Sequence, residues 1–542
     1  MISVFESWRN HAFVVCGWRR VFLVFLLGAL STLALPPVHF IPALIPSFVG
    51  LIWLLDGSAK KSGEKTGYHL KNFSVNGPFA TGWWFGLGFF VSGLYWISFS
   101  FLVDAQKFGW MIPIAIFGLS AVFAIYIGLV TLLAYNLSDP GPRRVVYVII
   151  FWVVSEWLRS WLFTGFPWNL LGSVWTFNDK IMQFASVFGV LGLSLLTIGV
   201  ASAFSFLGYA DKSLRFKIIG LSIPVTLLVA IWISGFSRLY DAETKFVDNV
   251  LIRIVQPNIL QRDKWKAKFR DKHINNLLSL SSVINKYDNS IRPTHIIWPE
   301  TATPFILDGN DQALKIIAQI IPPKGALLTG SLRRADNRKG TVKLWNSLHV
   351  VGSNARILAT YDKFHLVPFG EYIPLRKYLD NFVSLIKLTE GRVDFSSGLG
   401  RQTISVPGIP PLSPLICYEV IFSGAVISKS EKNIVQPRWL LNITNDAWFG
   451  ISSGPYQHLA AAQLRAVEEG VPLVRVANTG ISAVIDGFGR IQKSSSLNER
   501  TFIDSALPKP IENPTIFSEF KILGVSLVVL LLLILSRFRW FS

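Results

Sequence analysis

Three residues at apolar-to-polar junctions carry complementary chemistry: a thiol, a carboxylate and an ammonium. Cys417 ends the apolar run in Leu415-Ile416-Cys417-Tyr418-Glu419, Glu300 ends Ile296-Ile297-Trp298-Pro299-Glu300, and Lys363 follows in Tyr361-Asp362-Lys363-Phe364-His365. A free thiol ionises near pH ~8.5, so it needs an adjacent base or cation to become a nucleophile near neutrality. A fixed cation in a dry site stabilises an oxyanion that exists only in the transition state. Together these groups suggest acyl transfer through a thioester. Taken singly, each has a plainer role. A cysteine among Leu and Ile packs as a small hydrophobe, Glu300 after Pro299 suits a solvated loop, and Lys363 beside Asp362 suits a surface pair worth about 0–1 kcal/mol. Their combination at strand-end junctions points to a site.

The elements that must position them divide between two solvents. The chain has 542 residues and is 51% hydrophobic, with a mean hydropathy of +0.44, too apolar for an ordinary soluble protein. Apolar stretches crowd the first part, and Asn, Asp, Lys and Arg become frequent from about Ser237. Stretches near the length that crosses a bilayer, about 20 residues, are Val21 to Leu35, His39 to Leu55, Phe79 to Val103, Met111 to Tyr135, Val145 to Phe163, Met182 to Leu207, Ile218 to Phe236 and Ile522 to Leu535. Eight spans place both termini on one side. The expected organisation is a seven-span membrane domain over 1–236, an external α/β domain over 237–517, and an eighth span with a short tail over 518–542.

Basic residues set the orientation. Arg9, Arg19 and Arg20 precede the first span, Lys60, Lys61, Lys65 and Lys71 follow the second, and Arg143 with Arg144 follows the fourth. Lys212, Arg215 and Lys217 follow the sixth, and Arg537 with Arg539 follows the eighth. The positive-inside rule makes these loops and both termini cytoplasmic, so the large polar segment lies outside. Part of the +19 net charge is thereby used in orientation, and no recognition motif accompanies it, so a nucleic-acid partner is set aside. Arg262, Lys264, Lys266, Lys268, Arg270 and Lys272 belong to the external segment, where a solvated helix face or attraction to anionic phospholipid explains them. Cys16 lies on the inner side, leaving Cys417 without a disulfide partner. Arg19 and Arg20 before an apolar run mimic a cleavable signal, but further spans follow at once. The eight histidines show no spacing typical of zinc sites, so neither metal nor cofactor is expected.

From Val250 to Leu507, strand-like and helical patterns alternate. Leu251 to Val255, the run at Ile296, Ala326 to Gly330, Leu348 to Val351, Leu440 to Thr444, Val474 to Ala477 and Ala483 to Ile485 read as strands. Asp271 to Ile284, Asp311 to Ile320 and Gln457 to Glu468 read as helices, the last begun by Pro455. This is a layered α/β plan.

Trp298-Pro299-Glu300, the run Lys363-Phe364-His365-Leu366-Val367-Pro368-Phe369-Gly370-Glu371, and Cys417-Tyr418-Glu419 resemble the three catalytic segments of the nitrilase superfamily. Within it the apolipoprotein N-acyltransferase family is the nearest resemblance. Asn442-Ile443-Thr444-Asn445-Asp446-Ala447-Trp448-Phe449-Gly450, the run from Arg475 to Ala483, and Phe166-Pro167-Trp168 in the membrane half also match it. Val471 departs, standing where that family commonly carries arginine. The resemblance implies a four-layer αββα domain in the bacterial inner membrane, facing the periplasm. It implies an acyl chain passing from a membrane phospholipid to Cys417 and then to the α-amine of a diacylglyceryl-cysteine lipoprotein. Glu300 would be the base, Lys363 the oxyanion partner, and Glu371 would orient either of them or act as a structural loop carboxylate. Glu419 would share the face of Cys417 if the strand continues, by the period of two. Trp168, Trp265, Trp298 and Trp448 are candidates to line an apolar path, or simply to anchor at the interface.

A membrane-tethered amidase or nitrilase-type hydrolase would use the same three residues with water as second nucleophile, but a water-soluble substrate needs only one anchor. A lipid-binding or transport protein would leave Cys417 dispensable. A reporter fused after Ser542 is expected on the cytoplasmic side; its appearance outside would overturn the eight-span topology and the external site together.

Overall fold

Apolar runs without charge become helices in the first part of the chain, and β-branched alternation becomes strands in the second. The computed structural model describes residues 2–58, 77–283, 292–336, 342–374, 394–428 and 435–537. Lys60, Lys61, Lys65, Lys71, Ile284 and Arg539, used above, lie outside the described residues. Two units emerge: 1–98, 110–241 and 519–542 form one, and 99–109 with 242–518 forms the other.

The first unit is helical. Gly17–Ala34, Ala105–Leu137, Ala185–Gly208 and Leu214–Tyr240 are long and apolar enough to cross a membrane. Pro78–Gly93 and Tyr95–Leu102 join at a 48° bend and make a fifth if counted as one span. Four or five of the eight expected spans therefore meet that length and composition among the described residues. Ile41–Asp56 and Leu523–Leu535 are apolar but short, and 13 residues from Leu523 to Leu535 rise only about 20 Å. The helix Pro142–Arg159 carries Arg143, Arg144, Glu156 and Arg159 among its 18 residues.

Several cations read as loop charges are in fact buried helix clamps. Arg144 Nη1 lies 3.0 Å from Asp56 Oδ1, and Arg9 Nη2 and the Tyr209 hydroxyl reach Asp56 Oδ2 at 3.3 and 3.0 Å. Arg20 Nη2 donates to the Leu54 carbonyl, Ser58 Oγ and Thr81 Oγ1, and Lys217 Nζ lies 2.6 Å from Glu6 Oε1. These pairs gather one end of the helical unit, the end read above as cytoplasmic.

The second unit is built on two six-stranded sheets. The first has the order β12-β1-β2-β3-β4-β5 and the second β11-β10-β9-β8-β7-β6. The strands are β1 Phe246–Gln256, β2 His295–Ile297, β3 Ala326–Asp336, β4 Val342–Gly352, β5 Ile357–Asp362, β6 Ile404–Val406, β7 Ile409–Ile416, β8 Trp439–Thr444, β9 Leu473–Ala477, β10 Ala483–Ile485, β11 Ile491–Ser494 and β12 Thr501–Pro508. At the centre of each sheet three strands run parallel, β1-β2-β3 and β7-β8-β9. Their outer neighbours are antiparallel.

Alternation makes the layers. Ile252, Ile254, Ile297, Leu328, Leu348 and Val350 of the first sheet meet Leu412, Ile416, Leu441, Ile443, Val474 and Val476 of the second in one buried core. On the other face of the first sheet, Val255, Ile296, Trp298 and Leu327 pack with Leu277 and Leu280 of the helix Arg270–Ser282 and with Leu314 and Ile317 of Asp311–Ala318. The helix Gly454–Glu469 packs against β9, starts with a proline and ends at Gly470, whose φ of 68° is the left-handed cap that glycine favours. Helix, sheet, sheet and helix follow in sequence, the sandwich expected from the nitrilase-like pattern. Strands β5, β6, β11 and β12 were not foreseen, being short or polar edge elements whose pattern is weak.

Candidate active site

The first sheet supplies the acid and the cation. After β2 the chain continues beside β3, with Trp298 N donating to Leu328 O at 2.9 Å and Ala302 N to Gly330 O at 2.9 Å. Pro299 lacks an N–H and ends the strand there. A Cβ on Gly330 would stand 2.4 Å from Thr301 N and 2.6 Å from Pro299 O, so only glycine admits the turn that presents Glu300. The Glu300 carboxyl is buried, and its Oε1 accepts from Asn346 Nδ2 on β4 at 2.6 Å. Lys363 follows β5 directly, its N–H held by Asn346 O at 2.8 Å. Its Nζ lies 2.9 Å from Glu371 Oε1 and 3.9 Å from Glu300 Oε1. Glu371 also accepts from Asn346 Nδ2 at 3.2 Å and from Val367 N at 2.8 Å. It therefore both aims Lys363 and closes its own loop.

The second sheet supplies the thiol. Strand β7 ends at Ile416, and Cys417 begins a 3₁₀ turn to Ile421 with φ of 53°. A non-glycine residue in that region is strained and survives only where its surroundings hold it. Asn442 Nδ2 on β8 donates to the Cys417 carbonyl at 3.3 Å, and His458 Nε2 approaches it at 3.2 Å. Behind these, Arg475 on β9 donates from Nη1 to Asn442 Oδ1 at 2.5 Å and from Nη2 to Asp446 Oδ2 at 2.6 Å. Asp446 Oδ1 also lies 3.0 Å from His458 Nδ1.

This turn corrects the expectation for Glu419. Strand periodicity stops at Ile416, so Glu419 does not share the face of Cys417. It turns back under the site, fully buried: Oε1 accepts from the Tyr361 hydroxyl at 2.9 Å, Phe364 N at 2.9 Å and His365 N at 3.0 Å, and Oε2 accepts from Ile416 N at 2.7 Å. One carboxylate thus ties the lysine segment of the first sheet to the strand that ends at the cysteine on the second.

The charges decide where protons reside. Burial raises the Cys417 thiol well above its ordinary value, Glu300 adds to that rise, and Lys363 opposes it. Burial also raises Glu300, with Glu371 adding and Lys363 and Lys264 opposing. Burial works against the Lys363 ammonium, but Glu371, Glu300 and Cys417 outweigh it and hold the cation. Burial would raise Asp446, yet Arg475 and His458 bring it down to about 2. The Cys417–Glu300 pair accordingly retains one proton near neutrality, because two adjacent anions in a dry site are unfavourable. The Cys417 residue as a whole is half-buried.

The four tryptophans have different surroundings. Trp298 points to the opposite face of its sheet, buried with Leu277 and Leu280, and donates from Nε1 to Ser281 Oγ at 2.9 Å. Trp265 and Trp448 are half-buried in the second unit, the Trp448 carbonyl accepting from Ser100 Oγ at 2.9 Å. Trp168 is buried in the helical unit, 4.6 Å from the Trp96 ring. Val471 is buried just after the Gly470 cap. Asn346, Asp446, His458 and Lys264 were not assigned side-chain roles from sequence. Arg475 had a visible signal: an arginine inside the wholly buried run Leu473–Ala477 requires a partner.

Replacing Glu419 by Ala strips the acceptor from four donors, the buried Tyr361 hydroxyl and Ile416 N and the part-buried Phe364 N and His365 N, and each buried donor left orphaned costs about 1–3 kcal/mol. A loss of at least about 3 kcal/mol in denaturant unfolding of the detergent-solubilised protein is expected, against near-wild-type stability if the carboxylate were idle.

With the geometry in view, two family models match. The apolipoprotein N-acyltransferase N-terminal domain covers residues 27–203, and carbon-nitrogen hydrolase covers 252–510. The apolipoprotein N-acyltransferase of Rhodopseudomonas palustris is 40% identical over 529 residues, 96% of each chain. That of Bradyrhizobium diazoefficiens is 38% identical over 542 residues, covering 99% of this chain and 98% of its own. An amidase from Nesterenkonia sp. aligns with 49% of this chain and 93% of its own at 15% identity, with a TM-score of 0.33 that adds nothing to the strand order. Matched over nearly its whole length by such relatives, the chain belongs to the apolipoprotein N-acyltransferase family.

Proposed function

We propose that this chain acylates the N-terminal α-amine of diacylglyceryl-cysteine lipoproteins, taking the acyl chain from a membrane phospholipid and carrying it on Cys417. The observation that carries this reading is the meeting of Cys417, held at a left-handed turn, with Glu300 and the Lys363–Glu371 pair. The full-length family membership supports the lipoprotein acceptor, and the apolar helices support a lipid donor.

In the first step Glu300 takes the thiol proton as sulfur attacks an ester carbonyl. Negative charge passes to the carbonyl oxygen, where the Lys363 ammonium, fixed by Glu371, stabilises it. The C–O bond then breaks, the lysophospholipid alkoxide leaves with the proton from Glu300, and a thioester remains. In the second step the neutral α-amine attacks the thioester, Glu300 takes the amine proton, and the C–S bond breaks. The amide departs and the thiolate recovers its proton from Glu300. Residues 237–517 form the catalytic domain in this proposal, facing the periplasm from the bacterial inner membrane, with both termini cytoplasmic and eight crossings of unequal length. The unequal lengths are tolerable because short apolar helices span by local thinning of the bilayer or by packing against longer neighbours.

Intact mass spectrometry after incubation with phospholipid tests the central step. A hydroxylamine-labile acyl adduct is expected on wild type and absent from Cys417→Ala. Glu300→Gln and Lys363→Met are expected to form it at least about 100-fold more slowly. Free fatty acid without an adduct or amide product would instead indicate hydrolysis.

A further inference from the structure

Six cations crowd the segment from Arg262 to Lys272, and five of them are exposed as a solvated run should be. Lys264 is the exception at 3% exposure. The chain before it is pinned on both sides. Asn478 Oδ1 accepts from Ile259 N at 2.9 Å and Asn478 Nδ2 donates to Ile259 O at 2.7 Å. Asn445 Nδ2 donates to Gln261 Oε1 at 2.7 Å. A 3₁₀ turn over Gln261–Asp263 then delivers Lys264 inward, where its Nζ donates to the Glu300 carbonyl at 3.2 Å and to Thr301 Oγ1 at 2.6 Å.

Both acceptors are neutral. Among the described residues no carboxylate stands within the 4.0 Å of an ion pair with Lys264. A buried ammonium without a direct counter-ion is costly and is found where its field is used. That field falls on Glu300 and on Cys417. Thr301, which shares the ammonium, sits at a left-handed φ of 43°, so the turn bearing Glu300 is clamped by Lys264 on one side and Gly330 on the other.

We infer that Lys264 is a second cation of the site, a positioning residue that clamps the Glu300–Thr301 turn and keeps the Glu300 carboxylate ionised to receive the Cys417 proton. This rests on the acyl-transfer reading above. The groups acting on Glu300 are Lys363 and Lys264, which favour its anion, Glu371, which disfavours it, and the neutral donor Asn346. Those acting on the thiol are Glu300, Lys363, Asp446 and the Thr444 hydroxyl, with Lys264 itself. Burial lowers Lys264 itself to about 8, with Glu300 and Cys417 opposing the fall, so it is a cation at neutral pH and loses that charge above. Removing the cation raises the Glu300 pKa, which leaves less base at neutral pH and moves the acid limb of acylation to higher pH.

The test is the rate of adduct formation from micelles of phosphatidylethanolamine and phosphatidylglycerol, measured across pH for wild type, Lys264→Gln, Lys264→Arg and Thr301→Val. Gln keeps a donor without charge, Arg keeps the charge, and Val removes one hydrogen bond while leaving the cation. Lys264→Gln is expected to be several-fold slow below pH 7 and to converge on wild type at alkaline pH, with its acid limb displaced upward. Lys264→Arg and Thr301→Val are expected to retain the wild-type limb, whatever their overall rate. An unmoved limb in Lys264→Gln, or a limb equally displaced in Lys264→Arg, overturns the inference and leaves Lys264 a structural clamp. If Lys264→Gln does not fold, Lys264→Met refolded under the same detergent gives the same comparison, and the position of the Thr301→Val limb still decides whether the bond or the charge matters. Absence of any adduct on wild type overturns the acyl-transfer reading instead.

Discussion

The site depends on a distance that no single sheet controls. Glu300 and Lys363 leave strands of the first sheet and Cys417 leaves a strand of the second, so their spacing is the spacing of the sandwich, about 10 Å between packed sheets. A core of aliphatic side chains sets that spacing only loosely, because dispersion contacts are non-directional. Glu419 converts it into a directional constraint. Its two oxygens take the Ile416 amide behind the cysteine and the Tyr361 hydroxyl with the Phe364 and His365 amides behind and beyond the lysine. A buried carboxylate filled by four donors has little freedom to move, and charge-assisted bonds are about twice as strong as neutral ones. The thiol and the ammonium are thus registered from beneath, by a residue facing away from the reaction.

A second polar layer holds the strained turn itself. Arg475, Asp446, His458 and Asn442 are all buried, and they converge on the carbonyl of Cys417. Burying an ion pair is rarely a net gain in stability, though breaking one is expensive. Here its return is positional: the pair fixes the Asn442 amide, and that amide with the imidazole holds the carbonyl of a residue at φ 53°. Asn445 and Asn478 extend the same layer to the segment that delivers Lys264. The asparagines within and just after β8 and just after β9 therefore serve as scaffolding for both the cysteine turn and the glutamate turn.

Much of this was legible in the sequence, and what was missed has physical causes. The central strands showed because parallel strands buried on both faces read as continuous apolar runs, and the three chemical residues showed because they stand where those runs end. Glu419 was misplaced because the period of two presumes a continuing strand, and nothing in Ile416-Cys417-Tyr418 announces a left-handed residue that is not glycine. Lys264 was read with its exposed neighbours because a run of cations is normally solvated; its inversion depends on Asn445 and Asn478, bonded across 184 and 219 residues of chain, which no local pattern reports. Trp298 was offered as a lining residue, yet its parity with Ile296 on the short strand sends it to the helix-covered face. Fewer helices than the eight expected spans are long and apolar enough to cross on their own, because Leu523–Leu535 rises short and Pro142–Arg159 carries four charges.

The charge arrangement also explains how a reactive thiol can be stored. The thiolate is the nucleophile, and its fraction is set by the thiol pKa. Burial and the Glu300 carboxylate raise that pKa and outweigh the opposing pull of Lys363, whose ammonium is paired with Glu371 2.9 Å away. The resting thiol is therefore neutral and sluggish toward oxidants, whose attack follows thiolate character. In the proposed reaction an approaching ester changes the balance, because the charge no longer has to stay on sulfur: it moves to the carbonyl oxygen as the proton moves to Glu300. Lys363 then faces a growing oxyanion in addition to its standing partner, an interaction absent from the ground state. Stabilisation confined to the transition state raises the rate without activating the idle nucleophile, which suits a lone thiol without a disulfide partner.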